Sequence, residues 1–267
     1  MVIALLAARR SAGRVGAVVG RNIGAMRSGP SYLLVLLSGL AEPLLYLLSI
    51  GVGVGALIGT MELDDGSRVP YAVFVAPAML AVSAMSGALA ETTFNFFHKM
   101  KYARLYDAVL ATPVGPFELV LGELTWAMIR GALYSGIFLA VMVALGLVPA
   151  PGAAAAFPAA LLVGLAFGGF GAAISTYLRG WEDFDLVSTG QFALFLFSGT
   201  FVPVRDYPAV LEVVVRLTPL YHAVELLRGL ALWRLEWGLL ASLAYLVVMA
   251  LGGLWLASRR LARFMFP

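Results

Sequence analysis

The chain has 267 residues, of which 61% are apolar and only 12% are charged. Average soluble domains carry about 25% charge, so a water-facing surface for a chain of this length cannot be built from so few ions. The apolar content also excludes a disordered chain, and the lack of cysteine excludes a disulfide scaffold.

A polytopic membrane protein remains. A hydrocarbon core about 30 Å thick takes about 20 apolar residues per helical crossing, and the chain supplies six such runs. Residues 1–29 set Arg9, Arg10, Arg14, Arg21 and Arg27 among short apolar groups. That stretch is too charged to cross and too apolar to float free, which predicts an amphipathic helix on the inner surface. Its first apolar run precedes the Arg9-Arg10 pair, the reverse of a secretory signal, so the N-terminus is expected to be retained and cytoplasmic. Pro30 opens a first span over about 31–58, a polar turn follows at 61–68, and a second span covers about 71–97. Residues 98–116 are polar again. A third span covers about 117–148, the turn at 149–152 reverses the chain, and a fourth runs to about 178. The charged link 179–185 leads to a fifth span ending near 202. Two apolar stretches between 203 and 236 are each too short or too charged to cross, and predict a re-entrant hairpin dipping in from the outside. The sixth span, about 237–257, ends in a basic tail with Arg259, Arg260 and Arg263. No linker divides residues 1–267, so they read as a single all-α membrane domain with six transmembrane helices.

Charge sets the orientation. With the N-terminus inside, 12 of the 18 Lys and Arg residues fall on the cytoplasmic side and five outside, with Arg130 within a span. Both termini are therefore expected inside. The net charge of +3 records these loops and not a nucleic-acid partner.

Recognisable catalytic chemistry is thin. Lys99 and Lys101, the only lysines, are followed by Met100 and Tyr102 with no glycine shortly before, so a phosphate-cradling Gly-x4-Gly-Lys-Ser/Thr loop is absent. The run from Gly51 to Ala56 matches a loose dinucleotide pattern, but with no strand before it the reading is helix packing through Gly51, Gly55 and Gly59. His98 and His222 fall on opposite membrane faces and assemble no zinc site, and no Gly-x-Ser-x-Gly nucleophile signature occurs. No cofactor is expected in the chain, and nothing in these motifs recommends a membrane hydrolase or acyltransferase.

Ionisable residues inside spans carry more information, because each is costly there and usually paired or facing an aqueous cavity. They are Glu42, Glu91, Glu123 and Arg130. Ser83, Gly87, Glu91 and Asn95 recur every four residues and give the second span one polar stripe. Glu123 and Arg130 lie two turns apart on one face of the third span. Glu42 and Arg130 lie at similar depths, roughly 17 and 20 Å from the inner ends of their spans, which makes them candidate partners. Registry-fixing pairs, substrate contact and proton coupling all remain open as roles.

Residues 98–116 read as a short helix stopped at Thr112-Pro113. Tyr102, Leu105, Tyr106, Val109 and Leu110 form its apolar stripe, with Lys99, Lys101, Arg104 and Asp107 off it. Such a helix can rest on lipid headgroups or plug into a soluble partner. In the outer hairpin, His222, Glu225 and Arg228 follow at three-residue steps, close enough for a local charge network that anchors the hairpin or gates release of a polar headgroup.

Several segments together resemble the type-2 ABC exporter permeases, with the nearest likeness to the NodJ branch. They are Gly39-Leu-Ala-Glu-Pro-Leu-Leu-Tyr46, Leu105-Tyr-Asp-Ala-Val-Leu-Ala-Thr-Pro113, Leu121-Gly-Glu123, Phe197-Ser-Gly-Thr-Phe-Val-Pro203 and Leu217-Thr-Pro-Leu-Tyr-His-Ala-Val-Glu-Leu-Leu-Arg228. Where that family commonly has Phe-Pro after Ser-Gly, this chain has Phe201-Val-Pro203. The resemblance implies a bacterial cytoplasmic-membrane permease that dimerises with a copy of itself or a related chain and recruits two copies of a separate nucleotide-binding subunit, on which ATP and Mg reside. It implies a coupling helix carrying Tyr102, Arg104, Leu105, Tyr106, Asp107 and Leu110. It also implies export of an amphipathic or lipid-linked molecule such as a lipo-oligosaccharide, glycolipid or hydrophobic drug. On this resemblance the chain is a transport subunit and not itself an enzyme; the rival readings are a self-sufficient secondary transporter or channel using the intramembrane Glu and Arg residues, and a membrane-embedded enzyme.

Overall fold

The computed structural model describes residues 2–28, 41, 44, 45, 47–63 and 66–265. The chain opens with helix α1 (Val2–Ser28), as its alternating apolar and arginine groups predict. Most of the expected first span, Glu42 included, lies outside the described residues. Its final part is a π-helical stretch, Leu47–Val54, running into the short helix α2 (Gly55–Ile58). Gly59 ends that helix at φ 76°, and among the described residues nothing lies within 4 Å of where a side chain on it would begin. Its role is therefore the left-handed turn that glycine permits, which corrects the expectation that it packs against a neighbouring helix. The polar segment after it forms an antiparallel hairpin of β1 (Thr60–Glu62) and β2 (Arg68–Pro70), with Met61 opposite Val69.

Four described helices are long and apolar enough to cross a membrane. The first begins as α3 (Tyr71–Leu89) and continues through π-helical turns at Ala90–Asn95 and His98–Tyr102. The widening has a local cause: the hydroxyls of Thr92 and Thr93 donate back to the carbonyls of Ala88 and Leu89 and compete with the regular ladder. Arg104, left-handed at φ 45°, breaks the helix before α4 (Leu105–Leu110). α5 (Pro116–Ala144) starts at a proline whose missing N–H is no loss in a first turn, and α6 (Ala150–Ser175) follows a short turn.

The expected fifth span differs. Its helix, α7 (Asp183–Leu196), has 14 residues, about 21 Å at 1.5 Å per residue and short of a full crossing. The chain then turns through Gly199 at φ 72°, where the Ser198 and Thr200 hydroxyls meet at 2.7 Å. The region expected as a hairpin holds α8 (Ala209–Arg216) and α9 (Pro219–Ala231), the second capped by Thr218. α10 (Gly238–Met265) completes the chain.

These elements define two ends of one bundle. The β-hairpin, α8 and α9 gather where α3 starts, and Gly152 of α6 lies against the carbonyl of Ala231 in α9. At the other end, α1, α4 and the last turns of α10 share an apolar cluster built around Val18, Phe97, Tyr106, Leu119, Ala257 and Leu261. α1 and the end of α10 therefore lie at the same end. Midway, α6 and α10 cross closely enough that a side chain on Gly253 would overlap the backbone of Gly169 and Phe170, the close approach that small residues allow between apolar helices.

Candidate functional site

The polar stripe of α3 has a specific destination. Ser83, Gly87, Glu91 and Asn95 all line a cavity of about 510 Å³ among α3, α5, α6 and α7, a volume within the usual ligand-site range of roughly 300–1,000 Å³. Met79, Val82, Met128, Phe192 and Phe195 give the same cavity an apolar lining. α7 reaches across to α3 through Gln191, whose side-chain amide donates to Ser86 Oγ at 2.8 Å.

Among the described residues two charges stand in this cavity, and they are paired. Arg130 Nη1 of α5 donates to Glu91 Oε2 in the π-helical turn that continues α3, and Asn95 Nδ2 donates to the same oxygen at 2.9 Å. Arg130 Nη2 donates to Tyr134 Oη at 3.2 Å, while its Nε is buried without a hydrogen-bond partner. Glu91 is 7% exposed. The expected Glu42–Arg130 pairing is therefore corrected for Arg130, which takes Glu91; Glu42 is outside the described residues.

Glu123 belongs to a different cluster, two turns nearer the α4 end. Its Oε1 accepts from Arg21 Nη2 at 2.7 Å, and its Oε2 accepts from Lys99 Nζ at 2.7 Å and Asn22 Nδ2 at 3.1 Å. One carboxylate, 3% exposed, thus joins α1, the last turn of α3's extension and α5. A second ion pair, Arg14 Nη1 to Glu118 Oε1 at 3.0 Å, extends the α1–α5 contact. Reading the sequence identified Glu123 but not its partners, because Arg21 and Lys99 look like ordinary loop cations and Asn22 carries no spacing signal.

The segment expected to dock a partner divides into inward and outward residues. Tyr106 is fully buried within this chain, its ring 4.9 Å from that of Phe96, so it cannot also fill a cleft on another protein. That corrects its place in the expected docking stripe. Its hydroxyl makes no hydrogen bond of normal geometry, and burial, followed by the nearby Glu123 carboxylate, holds its pKa well above the usual phenol value. Leu105 and Leu110 are half-buried, whereas Tyr102, Arg104 and Asp107 are exposed. Lys99, expected beside them, turns back into the Glu123 cluster.

At the opposite end, Arg228 Nη1 donates to Glu225 Oε1 at 3.2 Å, within the expected network. Arg228 also donates from Nη2 to the carbonyl of Gly199 at 2.8 Å and lies over the Phe74 ring at 3.9 Å, pinning α9 to α3 and the turn after α7. His222 leaves that network. It stacks on Tyr245 of α10 at 4.2 Å, and its Nδ1 lies 3.0 Å from Ser242 Oγ. Among the described residues no cluster of His, Asp and Glu has the makings of a metal site.

A bundle of span-length helices around a cavity that is polar on one part of its lining and apolar on another is the architecture of an integral-membrane permease. The ABC-2 type transporter family model matches residues 14–232, and the chain belongs to that family. It is 34% identical over 198 residues to nodulation protein J of Rhizobium leguminosarum bv. trifolii, covering 74% of each chain. It is 32% identical over 216 residues to nodulation protein J of Sinorhizobium fredii, covering 80% of each. A probable multidrug ABC transporter permease of Escherichia coli, YbhR, is 24% identical over 184 residues, 65% of this chain and 50% of that protein.

Proposed function

We propose that the chain is the permease subunit of an ATP-driven exporter that moves an amphipathic or lipid-linked molecule out across the bacterial cytoplasmic membrane. The observation that carries this reading is the cavity of about 510 Å³, whose mixed lining suits a molecule with one polar and one apolar part, inside a member of the ABC-2 family. In this reading the α4 end faces the cytoplasm, both termini included, and the β-hairpin end faces outward with α8 and α9 as the re-entrant hairpin. Two copies of a nucleotide-binding subunit, which hold ATP and Mg, dock at the α4 end, and two permease chains, identical or related, form the pathway. Tyr102, Arg104 and Asp107 are the exposed members of the coupling surface, with Leu105 and Leu110 at its edge. The Glu123 cluster ties α1 and the coupling segment to α5, so motion imposed at docking is transmitted to the wall of the cavity.

The test is co-expression with a candidate ABC ATPase subunit from the same genome. Co-purification of the two, with ATP hydrolysis that rises on adding an amphiphile, supports the reading. A permease that purifies alone and takes up substrate on a proton gradient without nucleotide would replace it with the secondary-transporter alternative.

A further inference from the structure

We propose that the Glu91–Arg130 pair is a charge filter: it restricts the cavity to amphiphiles whose headgroup carries no net charge. This rests on the reading of the cavity as the substrate site. Among the described residues lining the cavity, Glu91 and Arg130 are the only charged ones, and they neutralise each other. The rest of the polar lining is uncharged, with Ser83, Ser86, Asn95, Tyr134 and Gln191 offering hydroxyl and amide groups to a headgroup.

Electroneutrality gives the selectivity its direction. A net-anionic headgroup is attracted by Arg130 but must take it from Glu91, which leaves a buried carboxylate uncompensated in low dielectric. A net-cationic headgroup engaging Glu91 strands Arg130 in the same way. An uncharged headgroup leaves the pair closed and uses the hydroxyl and amide lining. A zwitterion opens the pair while presenting an anionic oxygen to Arg130 and a cationic nitrogen to Glu91, so no charge is orphaned. Arg130 has donors to spare for this exchange, since Nη1 and Nη2 each donate to one acceptor and Nε to none.

The geometry makes an asymmetric prediction for the two single neutralisations. Glu91→Gln leaves one positive charge in the cavity and turns its preference to anionic amphiphiles. Arg130→Gln leaves one negative charge and turns it to cationic ones. The experiment is photo-cross-linking of the full chain in nanodiscs of phosphatidylglycerol, a lipid whose net-anionic headgroup the filter disfavours, with diazirine amphiphiles of one tail and four headgroups: glucosyl, phosphocholine, sulfate and trimethylammonium. Only cross-links mapped to the cavity-lining segments of α3, α5 and α7 are scored, because basic residues elsewhere attract anionic probes. In the parent chain the glucosyl and phosphocholine probes label the cavity in preference to both charged probes. Glu91→Gln raises sulfate labelling about tenfold and Arg130→Gln raises trimethylammonium labelling about tenfold, the minimum expected of one unpaired charge in a poorly solvated site. The double variant Glu91→Gln/Arg130→Gln guards against misfolding, since it orphans no charge; it keeps glucosyl labelling and discriminates less between the charged probes. The same headgroup order in all four proteins overturns the filter, as does a parent chain that prefers a charged probe. The readout needs neither ATP nor a partner, so failure of ATP-driven export bears on the proposed function and leaves this result separate.

Discussion

Lys99 Nζ lies 2.7 Å from Glu123 Oε2, a bond that fastens the turn leading into α4 to the first turns of α5. Arg21 completes the arrangement from α1 on the other carboxylate oxygen, also at 2.7 Å. Removing the carboxylate leaves two cations facing each other in a largely buried site, whereas removing Lys99 leaves the Arg21–Glu123 pair intact. Glu123→Gln is therefore expected to destabilise the protein by about 3–5 kcal/mol, and Lys99→Gln by about 1–2 kcal/mol. Thermal unfolding of the purified variants, followed by tryptophan fluorescence, gives the order. Equal losses would mean that Arg21 does not hold the carboxylate.

Tyr106 separates packing from docking. Truncating a ring that is wholly enclosed by Phe96 and its neighbours removes contacts throughout the α4-end cluster, so Tyr106→Ala is expected to cost about 3–5 kcal/mol. Tyr106→Phe removes only a hydroxyl that makes no normal hydrogen bond and should stay within about 1 kcal/mol of the parent. A Tyr106→Ala protein that unfolds at the parent temperature would show that the ring is not part of this chain's core.

How much of this was legible in the sequence depended on whether the signal was local. The polar stripe Ser83, Gly87, Glu91 and Asn95 was readable because helical period alone puts four residues on one face. Four span-length helices were readable from hydropathy, since each is a continuous apolar run. The partner of Arg130 was not, because depth along a span restricts candidates without choosing between neighbouring helices, and the choice fell to α3. The place of Tyr106 is hidden for a related reason: an apolar stripe on a short helix says that something covers it, and here the cover is Phe96 and the α5 core of the same chain. The β-hairpin at residues 60–70 was hidden because two three-residue strands carry too few alternations to register.

Neighbouring glycines in α10 offer a paired test of the helix crossing. A methyl group on Gly253 would sit 2.5 Å from the carbonyl carbon of Gly169, whereas nothing lies within 4 Å of one on Gly252. Gly253→Ala should destabilise by about 1–3 kcal/mol, because backbone must move to admit it. Gly252→Ala should be neutral or stabilise by up to about 1 kcal/mol through helix propensity. Thermal unfolding of the two variants side by side decides it, and equal behaviour would mean that α6 and α10 do not cross at Gly169.

The chain has no cysteine, so single introduced thiols report sidedness cleanly. Asp206 and Trp233 flank α8 and α9, and both are exposed. Cysteines at these two positions should react with an impermeant thiol reagent added outside intact cells, and one at Arg263 should react only after permeabilisation. Labelling of 206 and 233 from opposite sides would place a full crossing between them and remove the re-entrant hairpin.

In the proposed function, ATP hydrolysis by a docked subunit drives an amphiphile outward through this permease. Its most direct measurement is movement of a fluorescent glycolipid between leaflets in proteoliposomes holding the permease and its ATPase. Movement is expected to require hydrolysable ATP, to stop with a hydrolysis-dead ATPase and to be unchanged when the proton gradient is collapsed. Movement at the same rate without nucleotide, or movement that follows the proton gradient, would contradict it.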